Sequence, residues 1–314
     1  MECWNLIGPG QNLPENASDS MPTISLRRRA QDNNTGTSIS TVISFIAAGI
    51  IALELFALIL YILVAEIYQR RKAFTIKAFF TPANTLLFVG LAALFTMHIL
   101  NVFYSSDESS PVLAALIQFC LGTIELSYTF FSTERSQLIV ATLYPHRANL
   151  LKRVLAAAPL LYYTQALPYI VIVFLAGNTR AIEICAKIGQ ACTNLAGVYL
   201  ILLDGTLLLC FAAFVRISRE TGLANRNLEQ VARYGIGASV FFVLSIALLM
   251  MAFVEFKDAG RRQLLKTIAM CVVDLALMTL FAMKVAVNRL ERLEALEALE
   301  KTKASEHTTK PRKN

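Results

Sequence analysis

From residue 42 onward the chain alternates long apolar runs with short polar breaks. Seven runs, at 42–67, 84–103, 112–142, 153–176, 196–216, 235–255 and 265–287, are each long enough for the roughly 20 helical residues that cross a ~30 Å hydrocarbon layer. The runs are continuous and outlast the ~10-residue alternating strands of a membrane barrel. They predict an all-α polytopic membrane protein, a seven-transmembrane-helix bundle spanning residues 41–288. Residues 1–40 are polar, carry Pro14 and Pro22, and read as a flexible extracellular tail. They hold no apolar h-region, so no cleavable leader is expected. Residues 289–314 read as a cytoplasmic juxtamembrane helix followed by a disordered basic tail. Its leucines, from Leu290 to Leu299, recur every third position, so they drift around the helix and hold no coiled-coil seam. No internal repeat is visible, which argues against transporter folds built from two matching halves.

Composition closes off soluble folds. Hydrophobic residues make up 56% of the chain and charged ones 16%, where soluble domains carry about 25% charge. The net charge of +7 lies in short clusters between apolar runs. That is the pattern of loops facing lipid headgroups and cytoplasm, and it does not make a nucleic-acid stripe. With the N-terminus outside, eighteen Lys and Arg fall on the inner side and nine on the outer. The excess predicts N-out, C-in, against which the Arg27-Arg28-Arg29 triplet stands. Two glycosylation sequons, at Asn16 and Asn33, lie in the tail this places outside. Asn16 is favoured, because Asn33 lies close to the first span.

Cys120, Cys210 and Cys271 fall within spans as small apolar filler. Cys185 and Cys192 share the polar stretch between the fourth and fifth spans, and Cys3 lies in the tail. A Cys185–Cys192 disulfide is one available pairing.

Charge at membrane depth is expensive and marks function. Glu54, Glu125, Asp204 and Asp274 each lie about 8 to 13 residues, or roughly 12–20 Å, inside their helices, as though forming one layer. His98, Gln118 and Gln165 add polar groups nearby. On the third helix Gln118, Glu125 and Ser132 recur every seven residues, with Thr129 beside them. Lipid cannot satisfy such a stripe, so it must face the bundle interior. The acids could counter a cationic ligand, an ion or a proton, and each has a plain structural alternative as a protonated carboxyl bonded to a neighbour. Lys284 is expected to snorkel to the headgroups. Three histidines, one of them at membrane depth, cannot build a multi-histidine metal site. No Gly-x-Ser-x-Gly elbow, P-loop or His-Glu-x-x-His occurs, so neither enzyme activity nor a cofactor is expected.

Near the end of the third run stands Glu134-Arg135-Ser136, followed by Tyr144-Pro145-His146-Arg147. Together with seven spans and an outside N-terminus, this resembles the G-protein-coupled receptor superfamily, closer to its divergent chemoreceptor-type members than to rhodopsin-like ones. Ser136 stands where the family has an aromatic, the helix 6 Cys-Trp-x-Pro and helix 7 Asn-Pro-x-x-Tyr motifs are missing, and the only Trp is Trp4. The resemblance implies that Glu134 and Arg135 form a switch meeting a heterotrimeric G protein. The intramembrane acids for their part point to an extracellular, cationic ligand at Glu125, Asp204 and Asp274, with Gln118, His98 and Glu54 close by. The rival expectation is a proton- or cation-coupled transporter or channel using the same acids.

Overall fold

The computed structural model describes residues 23–68, 79–106, 110–175, 179–221, 226–254 and 259–308. Among these, every regular element is a helix. In chain order they are α1 (Thr23–Tyr61, closing in a π turn over Ile62–Tyr68), α2 (Pro82–Ser106), α3 (Pro111–Leu143), α4 (Pro145–Thr164), α5 (Leu167–Phe174), α6 (Thr179–Thr221), α7 (Arg226–Val254) and α8 (Ala259–Thr308). All seven expected runs are present as helices long and apolar enough to cross a membrane, α4 and α5 together making the fourth.

The helices overrun the hydropathy in three places. α1 begins at Thr23, directly after Pro22, inside the stretch expected to be tail. No proline follows until Pro82, so nothing stops the helix from extending outward from its span. α6 begins at Thr179 and absorbs the polar stretch before the fifth span. Here Ile182, Cys185 and Ala186 pack on Ala115 of α3 and on Tyr169 and Ile172 of α5. A Glu183–Lys187 pair one turn apart, at 2.7 Å, supports the exposed face. Finally, α8 runs unbroken past its span to Thr308, because residues 289–301 are strong helix formers without Gly or Pro.

Local chemistry sets the starts. Thr81 Oγ1 accepts from the Asn84 backbone N–H ahead of α2. Ser110 caps α3 through Leu113, with Pro111 in the first turn. Pro145 opens α4 immediately after Tyr144, whose N–H ends α3 on the Val140 carbonyl at 2.7 Å.

The spans pack in sequence order into a ring that α8 closes against α1. α3 runs through the middle, touching α2, α4, α5, α6 and α7. Inside, Leu58, Leu91, Leu94, Ile124, Phe131 and Phe211 are buried. Outside, Leu160, Phe174 and Leu209 are 73–80% exposed, a surface that only hydrocarbon solvates without penalty.

Along the α1–α8 contact, Ser40 meets Thr267 at 2.7 Å, Tyr61 meets Asn288 at 2.8 Å, and the Ala65 carbonyl accepts from Arg292. All three pairs are 227 positions apart, so the two helices run parallel without slipping. Tyr61 also packs edge-on to Phe281. Lys284, expected at the headgroups, is instead buried within the bundle.

In lipid no hydrophobic force drives helices together, so close packing and hydrogen bonds must do it. Gly122 shows the tightest case. A Cβ there would lie 2.8 Å from the Tyr162 carbonyl oxygen, which is backbone and cannot step aside. Gly122→Ala should therefore lower stability by about 2 kcal/mol, read as thermal unfolding in detergent. Gly49→Ala and Gly205→Ala, with nothing within 4 Å of the new methyl, should leave stability unchanged or raise it by up to about 1 kcal/mol.

Candidate functional site: a cavity at one end of the bundle and the buried polar pairs beneath it

The polar face of α3 is richer than its heptad suggested. Glu125, Tyr128, Thr129 and Ser132 follow helical spacing and are all buried. Each of the first three is met by a different neighbour.

Glu125 is met by the fourth span. Pro168 has no N–H to offer the carbonyl four residues back, and the helix breaks at Gln165–Ala166. The Ala166 N–H turns to the Tyr163 carbonyl at 3.1 Å, and α5 restarts with Ile170 on Ala166. The break points the fully buried Gln165 at α3, where its Nε2 donates to Glu125 Oε2 at 2.8 Å. Gly122, one turn away on α3, makes the approach possible, since a Cβ there would also crowd Gln165 Nε2 at 3.3 Å.

Glu125 lies in the wall of a cavity of about 120 Å³. Six of the seven spans contribute, among them Asn101 and Tyr104 of α2, Gln118 of α3, Tyr169 of α5, Asn194 of α6 and Lys266 of α8. The cavity lies toward the end where α2 finishes and α3 begins. Gln118 Oε1 is buried and has no hydrogen-bond partner, and neither has Gln165 Oε1. The lining thus offers the Glu125 carboxyl and the unpartnered Gln118 carbonyl in an apolar setting, with an ammonium from Lys266. The volume is a little below the ~150 Å³ that accommodates benzene in engineered apolar cavities.

Asp204 is held differently. The Tyr128 hydroxyl lies 2.9 and 2.8 Å from its two oxygens, and Ser239 Oγ donates to Oδ1 at 3.2 Å. These contacts tie α3, α6 and α7 together at full burial, and Tyr128 stacks on Phe242 of α7 with centroids 3.7 Å apart. Beside them, Thr129 and Tyr162 share a hydrogen bond of 2.8 Å. Asp204 does not line the cavity.

Glu54 of α1 and Asp274 of α8 form a third arrangement: both are buried near each other, and Glu54 Oε1 and Asp274 Oδ1 have no hydrogen-bond partner. The 227-residue register sets the small Ala47 opposite Asp274. A carboxylate only accepts, so the pair makes a bond only with a proton between the two groups.

The expected single layer of four acids is therefore three separate contacts at three helix interfaces. Of the six candidate ligand residues, Gln118 and Glu125 line the cavity, while Glu54, Asp204, Asp274 and His98 do not. His98 is fully buried, and neither ring nitrogen has a hydrogen-bond partner. Tyr128, Ser239 and Tyr162 were not read as site residues. Tyr128 could have been found, because it sits one helical step from Glu125 on the same face. Ser239 had no such mark.

The other candidates are placed as follows. Cys185 and Cys192 are free and lie on α6, seven residues apart. Two helical turns separate them by roughly 10 Å, beyond the reach of a disulfide, so that pairing is corrected. Glu134 is exposed near the end of α3, while the Arg135 side chain lies outside the described residues. Asn16 also lies outside them, and the backbone at Asn33 belongs to α1. Among the described residues no cluster of His, Cys, Asp or Glu could hold a metal ion.

Fold and buried contacts together define an all-α, multi-pass membrane protein with seven spans. Compared with known proteins, the chain matches no family model and no curated protein.

Two predictions separate the buried acids. Tyr128→Phe should destabilise the protein by about 1–3 kcal/mol, because it strips a buried carboxyl of its main donor. In a double-mutant cycle with Asp204→Asn, the thermal shifts should be clearly non-additive. At the α1–α8 pair, Glu54→Gln supplies the missing donor permanently and should hold stability within about 0.5 kcal/mol. Glu54→Ala removes that donor and opens a gap, and should lose about 1–3 kcal/mol on the same thermal assay.

Proposed function

We propose that the protein is a receptor of the plasma membrane. It takes a small cationic ligand from outside and reports its arrival to a cytoplasmic partner. The observation that carries this reading is the cavity that six spans line around Glu125 and Gln118. The Glu125 carboxyl and the unpartnered Gln118 carbonyl in an apolar wall suit a small protonated amine. Ligand contact with six spans at once would bias the bundle between two packings, which a ligand on one helix could not do. The ring order with a central α3 fits the receptor resemblance and requires nothing more of it.

The Lys and Arg excess orients the chain N-out and C-in, so the cavity opens to the exterior, on the side of the sequons at Asn16 and Asn33. At the opposite end, Glu134 and Arg135 mark the face for a cytoplasmic partner, and a heterotrimeric G protein follows from the resemblance. Under this reading the chain is neither an enzyme nor a carrier of a cofactor. One observation favours a second reading, a proton- or cation-coupled transporter. The fourth span is broken at Gln165–Ala166 beside a buried acid, and transporters use such breaks to present polar groups at mid-membrane.

The full chain in cells carrying a G-protein activation sensor should respond to some members of a panel of small protonated amines and to none of their neutral isosteres. Glu125→Gln should reduce the potency of active amines by tenfold or more, the loss of roughly one charge-assisted bond. Unaltered potency in Glu125→Gln would sink the receptor reading. So would purified protein in liposomes moving protons or cations unaided, which is the transporter's outcome.

A further inference from the structure

A second, larger cavity of about 620 Å³ lies between α2, α3 and α4 at the other end of the bundle. Its lining changes character with depth. The spans of α2, α3 and the fourth crossing have ends at Pro82, Glu134 and Asn149. Glu134 and Lys152, both in the lining, therefore lie within about a turn of the ends of these apolar spans. Leu86, Phe130 and Leu155 lie one turn deeper and are apolar. Charge at the ends of apolar spans, next to an apolar slot, is the shape of an amphiphile's site.

Two details specify the amphiphile. Glu134 and Lys152 are both exposed to the cavity mouth, yet no ion pair joins them among the described residues. The lining therefore presents one negative and one positive group that do not pair with each other. Thr133, in turn, is buried at 4% exposure with its hydroxyl unpartnered, and it lines the same cavity. Helical threonines elsewhere in the bundle turn their hydroxyl back to the carbonyl four residues earlier, as Thr123, Thr206 and Thr279 do. Thr133 does not, and leaving a buried hydroxyl unbonded carries a clear penalty.

We propose that this groove holds one phospholipid with a primary-amine headgroup, of the phosphatidylethanolamine class. Its phosphate takes Lys152 and the Thr133 hydroxyl, its ammonium donates to Glu134, and an acyl chain lies along Phe130 and Leu155. The alternatives each leave a group unmet. An anionic glycerol lipid satisfies Lys152 and sets a negative head against Glu134. A choline lipid matches both charges but has no N–H to donate, and a sterol brings a single hydroxyl and no charge. The inference does not rest on the ligand cavity, and it shares only Glu134 with the face proposed for a cytoplasmic partner.

The test is native mass spectrometry of the detergent-purified full chain. Phosphatidylethanolamine, phosphatidylcholine and phosphatidylglycerol are offered at equal concentration. The wild type should retain phosphatidylethanolamine about tenfold over either competitor, the worth of one charge-assisted bond. Glu134→Gln should abolish the preference over phosphatidylcholine and raise phosphatidylglycerol binding. Lys152→Gln should weaken all three lipids. Both side chains are exposed, so both variants should fold, which thermal unfolding checks. Equal retention of the three lipids by the wild type would overturn the proposal. So would a phosphatidylethanolamine preference that survives Glu134→Gln, or Lys152→Gln binding all three lipids as the wild type does.

Discussion

Hydrocarbon offers no hydrogen bonds, and that constraint organises this bundle. A polar side chain within a span must find its partner on another helix or face a cavity. α3 carries the densest run of such side chains, and it is the helix that touches five others. The two facts belong together. Glu125 needs Gln165, Tyr128 needs Asp204, and Thr129 needs Tyr162. Meeting all three demands puts α3 at the centre against the fourth and fifth spans, and Ser239 of the sixth joins through Asp204. Where no apolar driving force exists between helices, these bonds and the close approach at Gly122 supply specificity.

The buried acids divide by how fully they are bonded. Asp204 receives Tyr128 and Ser239 and is sealed, so its work is to join α3, α6 and α7. Glu54 and Asp274 are buried near each other in the parallel α1–α8 contact, where Ser40–Thr267 and Tyr61–Asn288 bond the two helices and an oxygen of each acid is left without a partner. Glu125 receives Gln165 and lies in a cavity wall beside an unpartnered Gln118 carbonyl. A carboxyl already surrounded by donors has little left to offer a ligand, whereas Glu125 retains an oxygen for one. That difference, more than the presence of four acids, supports reading Glu125 as the functional group.

Much of the fold was legible because its strongest determinant, apolar runs of spanning length, is local in sequence. The heptad of Gln118, Glu125 and Ser132 correctly marked the interior face of α3. What escaped was non-local. The start of α6 at Thr179 depends on Cys185 and Ala186 packing against Tyr169 and Ala115, which hydropathy cannot register. The acids looked like one layer because depth was counted along separate helices. Rotation about each axis, which decides who meets whom, is fixed by neighbours. Pro168 was visible, but its effect of swinging Gln165 onto Glu125 was not. Lys284, expected to reach for water, is enclosed because α8 continues beyond its span and packs there against α1.

The central claim is that the cavity at Glu125 is open to the side bearing the N-terminus while the Asp204 contacts are sealed. Substituted cysteines tested in intact cells with a membrane-impermeant cationic thiol reagent, labelling of the native cysteines being subtracted, address it most directly. Gln118→Cys should react with reagent added outside, and Ser239→Cys should not. Equal labelling at both positions, or labelling of Gln118→Cys only from the opposite face of the membrane, would contradict the account.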